Sequence, residues 1–193
     1  MKTAPGTEVS LRTLVLAERT GGRVGMFSSR WLLLWASVAT VGCATVGSNA
    51  PPSLTPAESA AVEDAVRSFM ARVARDVTQN GPAAWGNVFV DGPSFFMAVD
   101  GQLVFPSGAA AIAALPELSR TIQHIELVWG EDLRVDPLTS SLAVVATSWH
   151  EVRVDGAGHR VDEKGFFTAT AEYREGRWQF RNAHWSDPRS TAP

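Results

Sequence analysis

From Thr121 to Ser186 the chain repeats one pattern: apolar and polar residues alternate, and short turn signals interrupt them. Ile125, Leu127 and Trp129 lie two apart, as do Phe167, Ala169, Ala171 and Tyr173, and as do Trp178, Phe180, Asn182, His184 and Ser186. A period of two puts every second side chain on one face of a strand, so each stretch predicts a strand with one covered face. Asp136-Pro137, Asp155-Gly156 and Glu175-Gly176 separate them. The reading is strands over 121–135, 141–154, 165–174 and 177–186, running antiparallel. Upstream, Phe95 to Val99 and Leu103 to Phe105 flank Asp100-Gly101, a good hairpin signal.

The preceding segment has the other period. Val62, Val66, Phe69, Met70, Val73 and Val77 recur at three and four, which puts them on one helical face. Thr55-Pro56-Ala57-Glu58 starts this helix: a capping threonine, a proline at the first position and a glutamate that completes a capping box. Asn80-Gly81-Pro82 ends it. Short helices are expected over 82–87, carrying Trp85, and over 109–115, stopped near Pro116. Helices gathered at one end of an antiparallel sheet make an α+β domain. A sheet this long curls, so its concave face can hold a pocket against the long helix.

The first residues belong to something else. Trp31 to Val41 is an apolar run of about a dozen residues, short for a membrane span and suited to a secretory signal. It ends Thr40-Val41-Gly42-Cys43. That string resembles the bacterial lipobox, with Thr40 standing where leucine is usual. The resemblance implies that Cys43 is the lipidated residue, and the lone cysteine of the chain excludes an internal disulfide. The expected organisation is an upstream extension over 1–25, a signal peptide over 26–42 with translation starting at Met26, a flexible tether over 43–55, a domain over 56–187 and a tail over 188–193. The expected location is the cell envelope, on the periplasmic side of an outer membrane, held through the lipid alone.

Charge narrows the partners. The chain carries −3 overall; five of its seventeen basic and two of its twenty acidic residues precede Cys43, which leaves twelve basic, eighteen acidic and −6 for the rest. Such a domain offers phosphates no broad positive field, so nucleic acid is not expected as a partner.

Several local strings then resemble a known family. They are Phe89-Val90-Asp91 leading to Asp100-Gly101 and Gly108, Gly165-Phe166-Phe167-Thr168 followed by Gly176-Arg177-Trp178, and the closing run Trp178 to Ser186 with His184-Trp185-Ser186. In this order they resemble the nuclear transport factor two-like, or SnoaL-like, superfamily over residues 57–187. The resemblance implies a cone-shaped curved sheet wrapped around the long helix. It implies no single activity, because the superfamily holds isomerases, cyclases, dehydratases, ligand binders and assembly domains.

The residues point to a small-molecule-binding or assembly domain held at the envelope, without definite catalysis. Against the isomerases of that superfamily, Ala98 falls where their base would lie and Val73 near their oxyanion-donating tyrosine; neither moves a proton. Asp91 and Asp100 read as turn residues. His184 is the weak catalytic candidate, because alternation puts it with Asn182 on the face of Trp178 and Phe180, and Trp185 on the opposite, exposed face. Trp85, Phe95, Met97, Trp129, Phe167, Asn182 and His184 are the candidate pocket lining. His124 and Glu126 share a strand face, with His150 on another strand, but a solvated face explains them better than a metal. No cofactor is expected. The expected partners are a small apolar ligand and a second copy of the chain docked through the sheet; the alternatives are an isomerase, dehydratase or cyclase that uses His184, and a purely structural dimer module.

Overall fold

The computed structural model describes residues 53–188. Cys43, the expected signal peptide over 26–42 and residues 1–25 lie outside the described residues, as does most of the expected tether over 43–55.

Helix α1 runs over Pro56–Asn80. Thr55 Oγ1 accepts from the Glu58 amide at 3.3 Å, and the Glu58 carboxylate accepts from the Thr55 amide at 2.8 Å, so the capping box forms as the sequence predicts. The six residues of the apolar stripe are all buried. At the far end Gly81 takes a left-handed φ of 71° and its amide returns to the Val77 carbonyl. The short second helix is a 3-10 helix, Gly81–Asn87.

The expected hairpin forms from β1 (Phe96–Val99) and β2 (Gln102–Phe105). Both turn residues have positive φ, 48° at Asp100 and 77° at Gly101, the conformation that a two-residue hairpin loop demands and that aspartate and glycine tolerate. Helix α2 (Gly108–Thr121) starts at the capping hydroxyl of Ser107 and continues through Pro116, past the predicted stop. Its buried side, Ala111, Leu115 and Leu118, spans the proline, so packing on both sides of it sustains the helix.

Five strands follow: β3 (Ile122–Trp129), β4 (Arg134–Thr139), β5 (Leu142–Asp155), β6 (Arg160–Arg174) and β7 (Arg177–Ser186). The stretch read as one strand over 121–135 is two. β3 pairs with the second half of β5 and β4 with the first half, and the turn between them is pinned where Asp132 Oδ1 accepts from the Ser148 amide at 2.9 Å and from the Ser148 hydroxyl at 2.8 Å. Pro137 sits inside β4, which pairs with β5 alone and so forms an edge where its missing amide costs no ladder bond.

The sheet order is β2-β1-β7-β6-β5-β3, with β4 beside β5. All pairs are antiparallel except β1–β7, which is parallel, so the antiparallel sheet of the sequence reading is a mixed one. The core lies between the covered face of this curved sheet and α1, where Phe69 meets Phe180 at 4.8 Å between ring centroids.

Candidate functional site

Strand parity decides what each face carries, and one bulge resets it. Thr170 pairs with Asn182 but Ala171 pairs with Phe180, which leaves Arg181 as an extra residue in β7. Beyond such a bulge the side chains change faces. Trp178 and Phe180 are buried as expected, but His184 is exposed on the outer face, opposite Thr168 and Ala98. The expected inward His184 is therefore corrected. Asn182 moves with it and bonds Thr170, its amide nitrogen lying 3.2 Å from the Thr170 hydroxyl. Trp185, expected outside, turns inward instead. Its ring stands 4.6 Å from Phe167, 5.1 Å from Trp149 and 5.6 Å from Trp129.

The other aromatic pocket candidates join this group. Phe95, Met97 and Phe167 are buried in the core. Trp85 stacks on Phe89 at 5.5 Å and meets Trp185 edge-on, and Trp129 donates its indole N–H to the Met70 carbonyl at 2.9 Å. They hold the sheet to the helix through edge and offset ring contacts. Val73 is buried, and Asp91 and Asp100 flank turns. His124, Glu126 and His150 are not brought together: the register sets His150 opposite Val128, and its ring bonds Asp162 at 2.7 Å instead.

Two arrangements missed by the sequence reading lie back to back on β5 and β6. On the covered face, Trp149, Glu151 and Arg153 follow one another at every second position, with Gly165, Glu163 and Val161 opposite them on β6 and Trp129, Leu127 and Ile125 on β3. Glu151 is 8% exposed and Arg153 6%. Arg153 Nε lies 3.0 Å from Glu151 Oε1, out of hydrogen-bond geometry, and its Nη2 bonds Glu163. Burial pushes the Glu151 carboxyl up to about 7; Arg153 opposes that rise and Glu163 adds to it. The indole N–H of Trp149 is buried without a hydrogen-bond partner.

On the outer face, two cross-strand rows, Val128–His150–Lys164 and Ser148–Phe166–Ser186, flank a trough of about 560 Å³. The row between them, Trp129–Trp149–Gly165, turns its side chains to the covered face and supplies the floor. Val128 is 50% and Phe166 44% exposed. Asp187 and Pro188 close one end, tied back where the Asp187 amide donates to Asp100 at 2.9 Å. Gly165 is required here: a Cβ would fall 2.0 Å from the Ser186 carbonyl oxygen. At the other end His150 and Arg160 both bind Asp162, whose carboxyl is held below its ordinary range first by the hydrogen bond from His150.

One sequence signal could have exposed the covered row. Ala143, Val145, Thr147 and Trp149 set the parity of β5, and Glu151 and Arg153 continue it while Val152 and Val154 fall on the other face. Charges at core positions of an unbroken strand break the local pattern, and such breaks gather at functional places.

No family model matches the chain, and no curated protein matches it in sequence. Solved structures do. A nuclear transport factor 2-like superfamily protein from Salmonella enterica aligns with a TM-score of 0.59 at 14% identity, covering 69% of this chain and 95% of that one. A putative scytalone dehydratase from Novosphingobium aromaticivorans gives 0.57 at 14% identity over 67% and 85%. An uncharacterised protein with a cystatin-like fold from Caulobacter vibrioides gives 0.53 at 16% identity over 67% and 92%. Together with the helix-wrapping sheet described above, these likenesses establish that the domain has the cystatin-like fold of the nuclear transport factor 2-like proteins.

Proposed function

We propose that this chain is an envelope-tethered domain that binds a small, mainly apolar molecule in the trough on the outer face of its sheet. The trough carries the reading. Its volume falls within the usual range for small-molecule sites, about 300–1,000 Å³, and Val128, Phe166 and Pro188 give it apolar walls. Lys164 adds a positive charge at one end, where Arg160 already balances Asp162. An apolar body bearing one acidic group suits that distribution. The neighbours include the putative scytalone dehydratase and a hexachlorocyclohexane dehydrochlorinase, so the fold accommodates small-molecule sites, but this reading assigns the chain no reaction.

The test is titration of the purified protein with 2-naphthoate, followed through the chemical shifts of labelled valine methyls. Shifts centred on Val128, with affinity at least tenfold lower in Phe166→Ala, are the expected result. Shifts confined to the helix stripe at Val66 and Val73, or none at all, would overturn it.

A second reading rests on the same face. Phe96, Val128, Val144 and Phe166 are exposed on it, and a second copy docked there would cover them. Sedimentation of wild type against Phe166→Glu separates the two readings, since only the dimer reading expects a change of mass. Tethering has its own test. Cys43→Ser should leave unprocessed, unlipidated precursor, and normal processing of that variant would remove the anchor from the proposal.

A further inference from the structure

The covered row stands directly behind the trough, on the same residues of the same strands. Trp149 belongs to both: its backbone floors the trough and its side chain heads the row. We propose that Glu151, Arg153 and Glu163 form a proton-operated latch behind the trough, in which a single proton shared by the two carboxyls keeps β5 and β6 locked together and its loss loosens them. This regulation of the trough rests on the binding reading above; the latch itself does not.

The geometry carries the argument. Glu151 and Glu163 are directly opposite in the ladder, and one guanidinium touches both. With one carboxyl protonated the three groups sum to zero charge; with both ionised they sum to −1 among Leu127, Ile125 and Val161. Like charges directly opposite weaken a strand pair, and burial magnifies the effect. Among the described residues, Arg153 and Glu163 are the charges that act on Glu151. β3 brings only Leu127 opposite Glu151, and the buried stripes of α1 and α2 contain no ionisable residue. His150, Asp162 and Lys164 lie on the same strands but on the outer face.

The place is mechanically suited to opening. β7 ends at Ser186, opposite Phe166, so residues 160–165 of β6 are paired in the ladder on the β5 side alone. A strand segment held along one edge opens locally at lower cost than one held along both. Burial that lifts Glu151 to about 7 sets the range of the switch: closed below neutrality, loosened above it.

Hydrogen exchange on the purified full chain at pH 6 and pH 8, corrected for intrinsic rates, tests the latch without any ligand. Wild type should lose about tenfold in protection over 149–154 and 160–165 between the two pH values, with α1 unchanged, since the protonated fraction of a group titrating near 7 falls by that factor. Glu151→Gln keeps the shape but cannot ionise, and should abolish the difference, while Asp162→Asn on the outer face should preserve it. Equal protection at both pH values in wild type, or a pH response surviving in Glu151→Gln, overturns the latch. In a second arm, 2-naphthoate should bind wild type more weakly at pH 8 and Glu151→Gln equally at both. If protection responds but the probe never binds, the trough reading fails and the latch stands. If the probe binds while protection ignores pH, the latch fails and the trough stands.

Discussion

β5 and β6 carry charges on both faces, and the two faces use them in opposite ways. Outside, His150, Asp162 and Arg160 form exposed pairs at 2.7 and 2.9 Å, and solvent screens them. Inside, Glu151, Arg153 and Glu163 make contacts just as close, but water is excluded from the first two. The carboxyl shifts run in opposite directions as a result: Asp162 is lowered by the hydrogen bond it accepts, and Glu151 is raised by burial despite its partner. Pairing geometry alone does not set the behaviour of an ion pair. The solvent that each partner gave up sets it.

Four measurements would break or sharpen this contrast. The largest effect belongs to Arg153→Met, which leaves two carboxyls opposed without a cation; urea unfolding at pH 8 should show a loss of about 3–5 kcal/mol. Replacing all three inner residues with apolar ones should leave stability equal or higher, and a large loss there would mean that the cluster is a net stabiliser.

Next comes pH. The folded carboxyl of Glu151 lies above its unfolded value of 4.5, so the stability it contributes is fully present below 4.5 and lost as pH rises through about 7. That loss is on the order of 3 kcal/mol across the window, and Glu151→Gln should remove it. Asp162 has the opposite sign, its contribution being present at neutral pH and lost in acid. A wild-type stability curve that is flat or rises between 4.5 and 7 would remove the inner row as a source of pH-dependent stability, because Asp162 changes its contribution only in stronger acid.

Gly165→Ala should cost about 1–3 kcal/mol, because the added methyl meets the Ser186 backbone rather than a side chain that can turn aside. It should also detach the Ser186–Pro188 end of the trough, visible as weaker binding of 2-naphthoate. The smallest effect is Asp162→Asn on the outer face, where the unfolding midpoint at neutral pH should move less than in any of the variants above. A clear shift there would erase the distinction between the faces.

Much of the fold was legible. The capping box at Thr55, the stripe from Val62 to Val77 and the positive-φ pair Asp100-Gly101 are local signals, and each formed where the sequence put it. The candidate site was less legible, for reasons visible at single residues. Alternation told which residues of β7 share a face, and it was right up to Phe180; the extra residue Arg181 then exchanged His184 with Trp185. A bulge depends on how the neighbouring strand fits, which the strand itself does not encode. Pro116 misled in the same way, since an intrinsic helix breaker was overruled by packing on either side of it.

By itself, then, the sequence determined the periods: 3.6 along α1, two along the strands, with turns where glycine, proline and aspartate interrupt them. Those follow from local sterics and from the need to cover one face of each element. Tertiary structure decided the rest. It set the parallel β1–β7 pair, the reversal of faces beyond Arg181, and the burial of Glu151 and Arg153 at positions that alternation could only flag as misplaced. Facing and desolvation are properties of what lies opposite. Glu163 reaches Arg153 only because the β6 register places it across the ladder, ten residues along the chain from its partner.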